Sequence, residues 1–282
     1  MKQLQFLLSL LMFSFCTSLS AQNIEVIYLW ANGAPNSSGL TGEEQQLENG
    51  RIGNVTNPTI KVYRPDNPNG LAVIMCPGGG YFRLAINHEG YDMAQWFNTQ
   101  GITYIVLKYR MPNGHPEVPL SDIEQAIRIV REHAAEWKIN PNKVGVMGAS
   151  AGGHLASLLA TQYTDKNTRP DFHVLLYPAI SMLESNRSSL LGNQPSEELK
   201  IKYSNELHVT EDTPPAFITF STDDGLAANA IKYYLALLEH HVQVSLHAYP
   251  TGGHGWGFLD TFLYKRQWTE ELEKWLRTLL DN

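Results

Sequence analysis

The sequence predicts an α/β fold: a three-layer αβα sandwich around one mostly parallel sheet, with a small cap or none. Three observations point there. Continuous apolar segments, such as residues 71–76 and 102–109, alternate with segments of helical spacing. Strands without polar alternation are buried on both faces, as they are when helices cover both sides of a parallel sheet. The chain has 282 residues, 43% hydrophobic and 17% charged, enough for one substantial core.

The elements follow in order. Residues 1–21 stand apart: Lys2, an apolar run over 6–16 and then the small residue Ala21 are the parts of a secretory signal peptide cleaved after Ala21. The run is too short for a stable bilayer span and lacks the amphipathic face of a buried N-terminal helix. The bulky Phe15 argues against a lipid anchor on Cys16. A secreted or periplasmic location is therefore expected, without membrane insertion. Residues 32–54, rich in Gly, Asn and Glu, read as an irregular lead-in. Strands are expected at 59–63, 71–76, 102–109, 143–147, 172–177, 216–220 and 242–249. Helices are expected at 91–99, 123–137, from 155, at 227–238 and at 268–280. The 123–137 helix carries Ile123, Ala126, Ile127, Val130 and Ala134 on one face, with Ser121 and Glu124 reading as a capping box. No repeat and no linker-like tract appears, so residues 22–282 read as one domain.

Composition removes several function classes. The net charge of −7 is unlike that of proteins that grip nucleic acid or anionic membranes. Two cysteines, Cys16 and Cys76, cannot build a disulfide scaffold or a thiolate zinc finger. No H-E-x-x-H and no carboxylate cluster occurs, so neither a metal nor a cofactor is expected. The sequence does not specify an oligomeric state.

Chemistry is concentrated in three loops that each follow a strand. The 143–147 strand runs into Gly148-Ala149-Ser150-Ala151-Gly152-Gly153-His154, a G-x-S-x-G between strand and helix. Small neighbours let a serine occupy a tight, strained turn at a helix N-terminus, where a developing oxyanion is favoured. Such a serine needs a base, and the base an orienter. His254, in Thr251-Gly-Gly-His-Gly255 after the last strand, is the candidate base. Asp223, the first acid after the 216–220 strand, is the candidate orienter. Asp224 is its rival, otherwise a turn residue or helix cap. His154 lies one turn past Ser150 and reads as a packing residue; His240 and His241 end a helix, and the other histidines have no partner pattern. Upstream, Pro77-Gly78-Gly79-Gly80-Tyr81 lets backbone N–H groups approach a ligand, and with the N–H of Ala151 could form an oxyanion hole.

These pieces resemble the α/β-hydrolase serine esterases, and within them the secreted bacterial acetylxylan-esterase-like branch. The matching stretches are Cys76-Pro-Gly-Gly-Gly-Tyr81, His88-Glu-Gly90, Leu107-Lys-Tyr-Arg-Met-Pro112, residues 148–156, Leu190-Leu-Gly192, Ser204-Asn-Glu-Leu207, Pro214-Pro215, Asp223-Asp224 and Gly252-Gly-His-Gly255. One departure stands out: Pro77 precedes the glycine triplet where many relatives have His. The resemblance implies Ser150, His254 and Asp223 as triad, and Gly79, Gly80 and Ala151 as oxyanion donors. It also implies deacetylation of plant polysaccharide such as xylan, or of its oligosaccharides. Tyr81, Glu89, Trp256 and Phe258 are candidate substrate contacts. Their alternatives are wall packing for Trp256 and Phe258, and a cap on the 91–99 helix for Glu89. Residues 179–213 are too few for a deep lipase tunnel and suggest an open cleft. Competing expectations are a feruloyl or general short-chain carboxylesterase, a peptidase, and a carbohydrate-binding protein with an inactive triad.

Overall fold

The computed structural model describes residues 23–183 and 188–280; the expected signal peptide lies outside them. Eleven strands are described: β1 (Asn23–Tyr28), β2 (Gln45–Leu47), β3 (Arg51–Gly53), β4 (Thr59–Arg64), β5 (Ala72–Cys76), β6 (Arg83–Leu84), β7 (Thr103–Lys108), β8 (Val144–Ala149), β9 (His173–Leu176), β10 (Ala216–Ser221) and β11 (Val244–Tyr249). The helices are α1 (Ala94–Thr99), α2 (Glu117–Glu132), α3 (Ala134–Trp137), α4 (Ala151–Gln162), α5 (Ser188–Leu191), α6 (Glu197–Lys202), α7 (Ala227–Glu239) and α8 (Lys265–Thr278).

The main sheet has the order β1-β4-β7-β5-β8-β9-β10-β11. From β7 to β11 every pairing is parallel, and β1 and β4 add an antiparallel edge. β5, β8, β9 and β10 are buried throughout, as their unbroken apolar sequences require. Parallel strands present their C-terminal ends along one edge, and the loops after β5, β8, β10 and β11 gather there.

Four features depart from expectation. First, residues 32–54 hold two short strands, and β2, β3 and β6 form a separate antiparallel sheet. Second, β1 pairs with β4 as an edge strand whose Ile24, Val26 and Tyr28 face outward. Third, the helix expected at 123–137 begins earlier, at Glu117, and is interrupted at His133. Pro119 sits in its first turn, where backbone N–H groups have no intrahelical acceptor and a proline loses no hydrogen bond. Ser121 is therefore inside the helix, its hydroxyl donating to Val118 O at 2.8 Å, and the Glu124 carboxylate accepts from the distant Thr164 N–H. Fourth, the helix expected at 91–99 opens as a 3-10 turn at Tyr91–Met93. Between β9 and β10 the described chain carries only α5, α6 and a 3-10 turn at Asn205–His208.

Candidate active site

Ser150 occupies the turn between β8 and α4 with φ 54° and ψ −117°, a conformation that costs free energy for a residue with a side chain. The surroundings hold it: its N–H donates to Leu176 O and its carbonyl accepts from Ala179 N–H, both at 3.0 Å. Both motif glycines are sterically required. A Cβ on Gly148 would collide with Gly152 O, and one on Gly152 with Cys76 O. The strand, the helix and the end of β5 approach too closely for any side chain at either position.

The Ser150 Oγ lies 2.7 Å from His254 Nε2. On the other side of the ring, His254 Nδ1 lies 2.7 Å from Asp224 Oδ2. A carboxylate only accepts, so the proton sits on Nδ1 and leaves Nε2 free to accept from the serine hydroxyl. The ring also meets Tyr177 edge-on, with centroids 5.0 Å apart. The residue on His254 is thus Asp224 and not Asp223, the acid expected from position after the strand. β10 continues one residue further than expected, to Ser221, and the turn beyond it closes through Asp224 N–H donating to Ser221 O at 3.1 Å. That closure returns Asp224 to the sheet edge, where it is buried, and leaves Asp223 exposed. Asp223 still belongs to the assembly: it accepts from Gly252 N–H at 3.2 Å and Gly253 N–H at 2.8 Å, in the loop that carries His254.

The glycine triplet after β5 is held from several sides. Pro77 O accepts from the Tyr109 hydroxyl, Gly78 O from Ala85 N–H, and Gly80 O from the Ser189 hydroxyl. Gly78 N–H donates to Glu89 Oε2 at 2.7 Å. Gly79 and Gly80 have φ 135° and 68°, the left-handed region that glycine tolerates. They border a cleft of about 680 Å³ together with Ser150 and His254. Ala151 follows Ser150 as the first residue of α4, one of the positions whose N–H has no acceptor within the helix.

The four expected substrate contacts are placed differently. Glu89 borders the cleft but is buried, and it acts as a brace: Oε2 takes Gly78 N–H, and Oε1 accepts from the Tyr177 hydroxyl at 2.9 Å. That hydroxyl in turn accepts from Gly257 N–H. One carboxylate therefore ties the glycine triplet to the histidine loop. Tyr81 is buried, and its hydroxyl meets His154 Nδ1 at 2.9 Å. The His154 Nε2–H donates to Tyr203 O, so Tyr81 is the donor, and burial holds the His154 pKa down at about 4. Trp256 is buried, stacked on Phe262 at 4.1 Å and donating to Ser221 Oγ. Phe258 packs against Trp268, with Lys265 Nζ over its ring. None of these three borders the cleft. Among the residues that do, and that were not expected as contacts from the sequence, are Arg51, Phe82, Arg83, Ala85, His88 and Ser189. Arg51 and Arg83 lie on the small sheet, which the sequence pattern did not announce. Among the described residues no group of three or more His, Cys, Asp or Glu is placed to hold a metal.

Comparison with known proteins places the chain in a family. The BD-FAE family model matches residues 60–178. The chain is 43% identical over 228 residues to an acetylxylan esterase of Xylanibacter ruminicola, covering 77% of this chain and 47% of that protein. It is 32% identical over 203 residues to endo-1,4-beta-xylanase B of Butyrivibrio fibrisolvens, covering 65% of this chain and 32% of that one. It thus spans half or less of the length of these curated relatives. A solved acetyl ester-xyloside bifunctional hydrolase from Caldicellulosiruptor lactoaceticus superposes with TM-score 0.75 at 34% identity, over 90% of this chain and 96% of the other. A serine elbow on a parallel sheet, at that likeness over nearly the whole of both chains, means that this chain belongs to the α/β-hydrolase esterases, in the acetylxylan-esterase-like group.

Proposed function

We propose that the protein is a serine esterase that removes acetyl groups from xylan or its oligosaccharides, working through Ser150, His254 and Asp224. The observation that carries this reading is the unbroken relay from Ser150 Oγ through His254 to Asp224, with 2.7 Å at each step, opening into a cleft bordered by Gly79 and Gly80.

In this reading His254 Nε2 takes the Ser150 proton as Oγ attacks the ester carbonyl. Asp224 holds the tautomer and stabilises the imidazolium. The N–H groups of Gly79, Gly80 and Ala151 receive the oxyanion, each donor contributing about 3 kcal/mol to the transition state. The imidazolium then protonates the leaving sugar oxygen, which departs as a hydroxyl. Water, deprotonated by His254, attacks the acetyl-enzyme and frees acetate. A cleft of this size accommodates sugar residues, and the short segment between β9 and β10 fits a polymeric substrate better than a lipid tunnel. The likeness to an acetylxylan esterase supports the choice of acyl group and polymer. Export through residues 1–21 belongs to the same proposal and suits a polymer outside the cell.

A second reading keeps the chemistry and enlarges the acyl group. Phe82 borders the cleft and is 58% exposed, a surface on which a phenolic acyl group could stack. Parallel assays on acetylated and feruloylated xylan, with 4-nitrophenyl acetate as a small ester, separate the two. Acetate as the faster product supports the first reading; ferulate replaces it with the second.

A further inference from the structure

β3 and β6 pair antiparallel, with Ile52 opposite Leu84 and Gly53 opposite Arg83. Alternation along each strand sends Ile52 and Leu84 to one face, where both are buried, and Arg51 and Arg83 to the other. That other face is a wall of the cleft, beside Ser150 and His254. Among the described residues neither arginine has a carboxylate partner. Arg83 Nε is buried without any hydrogen bond, and the guanidinium carbon sits 4.8 Å from the centre of the Phe82 ring. Neither acid of the site forms an ion pair with either arginine. Both oxygens of Glu89 are engaged by Gly78 and Tyr177, and Asp224 faces His254. The chain as a whole carries −7, so two unpaired arginines in its cleft are not the background of a basic surface. A planar guanidinium fork matches a carboxylate.

We propose that Arg51 and Arg83 form a carboxylate-binding subsite, so that the protein prefers esters whose molecule also carries a carboxylate near the reacting acyl group. The inference rests on the serine-esterase reading above and narrows its substrate class. The carboxylate has two possible sources: an acidic sugar branch on the alcohol side, or a free carboxylate on the acyl side.

The test compares the protein with its Arg51→Gln and Arg83→Gln variants on two pairs of esters. One pair is acetylated xylo-oligosaccharides with and without a uronic acid branch. The other is 4-nitrophenyl hydrogen glutarate and 4-nitrophenyl butyrate. The readout is the ratio of kcat/KM within a pair, so a general loss of activity in a variant cancels. In one pair the unsubstituted protein is expected to favour the carboxylated member by about tenfold, the scale of one charge-assisted hydrogen bond. Each substitution lowers that ratio severalfold, and added salt narrows it. The pair that responds identifies the source. Ratios near unity in both pairs, or a preference that both variants keep, overturn the subsite. Failure of the polysaccharide reading looks different: neither oligosaccharide releases acetate, while the nitrophenyl pair still gives an arginine-dependent ratio.

Discussion

Asp224 and His254 meet at 2.7 Å through Oδ2 and Nδ1, while the adjacent Asp223 faces the other way and accepts two backbone N–H groups from the loop that carries the histidine. Neighbouring acids thus divide the work: one touches the imidazole and the other holds its loop. Asp224→Asn is expected to lower kcat by roughly ten-thousandfold, because the amide favours the wrong imidazole tautomer. Asp223→Asn keeps one acceptor oxygen and costs about tenfold or less. Steady-state kinetics on 4-nitrophenyl acetate distinguish them, and the reverse ranking would exclude Asp224 as the orienting acid.

Glu89 makes a second prediction. Its removal strands two buried donors, Gly78 N–H and the Tyr177 hydroxyl. Glu89→Ala should cost about 1–3 kcal/mol of stability. It should also lower kcat by about 10- to 100-fold, since the glycine triplet proposed to receive the oxyanion loses its brace. Glu89→Gln, which keeps one acceptor, falls between. Denaturant unfolding and kinetics check both; a stability loss with kcat intact would confine Glu89 to a structural role.

The elbow gives a third. A Cβ at position 152 meets both Cys76 O and Pro77 O, at the base of the glycine triplet. Gly152→Ala is expected to destabilise by about 1–3 kcal/mol, or about 2–4 °C in Tm for each kcal/mol in a chain approaching this length. Activity should fall further than the loss of folded protein explains. A variant with native Tm would mean that the strand and helix yield more easily than the close approach implies.

Acid stability gives a fourth. Burial depresses His154 to about 4 and His173 to about 3, from an ordinary value of 6.5. Both stay neutral in the fold while the unfolded chain takes up their protons. Stability from this source is complete above pH 6.5 and declines as pH falls from 6.5 towards 4 and 3. The slope is up to about 1.4 kcal/mol per pH unit for each histidine. His154→Gln can still donate to Tyr203 O and accept from the Tyr81 hydroxyl, and it does not titrate. Its unfolding free energy, measured from pH 7 to pH 4, should decline less steeply than that of the unsubstituted protein. Parallel slopes would contradict the buried neutral histidine.

Much of the fold and the heart of the site were legible in the sequence. Strands such as β5 and β8 announced themselves because burial on both faces demands unbroken apolar runs. Ser150 and His254 announced themselves because their backbone turns need glycines at fixed places. The small sheet did not, because β2, β3 and β6 span only two or three residues each and have no period to detect. β1 did alternate, through Ile24, Val26 and Tyr28, but a half-exposed edge strand lacks the continuous apolar run that marks the central strands. The choice between Asp223 and Asp224 turned on one residue of strand length and one turn hydrogen bond. Trp256 and Phe258 follow the histidine in sequence, but the chain turns them into the aromatic packing around Phe262 and Trp268.

Acetate release from acetylated xylan by the unsubstituted protein and by Ser150→Ala tests the central claim most directly. The account predicts steady release that the substitution abolishes while thermal unfolding stays cooperative and near its original Tm. Release by Ser150→Ala at the original rate would contradict it, and would place the chemistry on another residue.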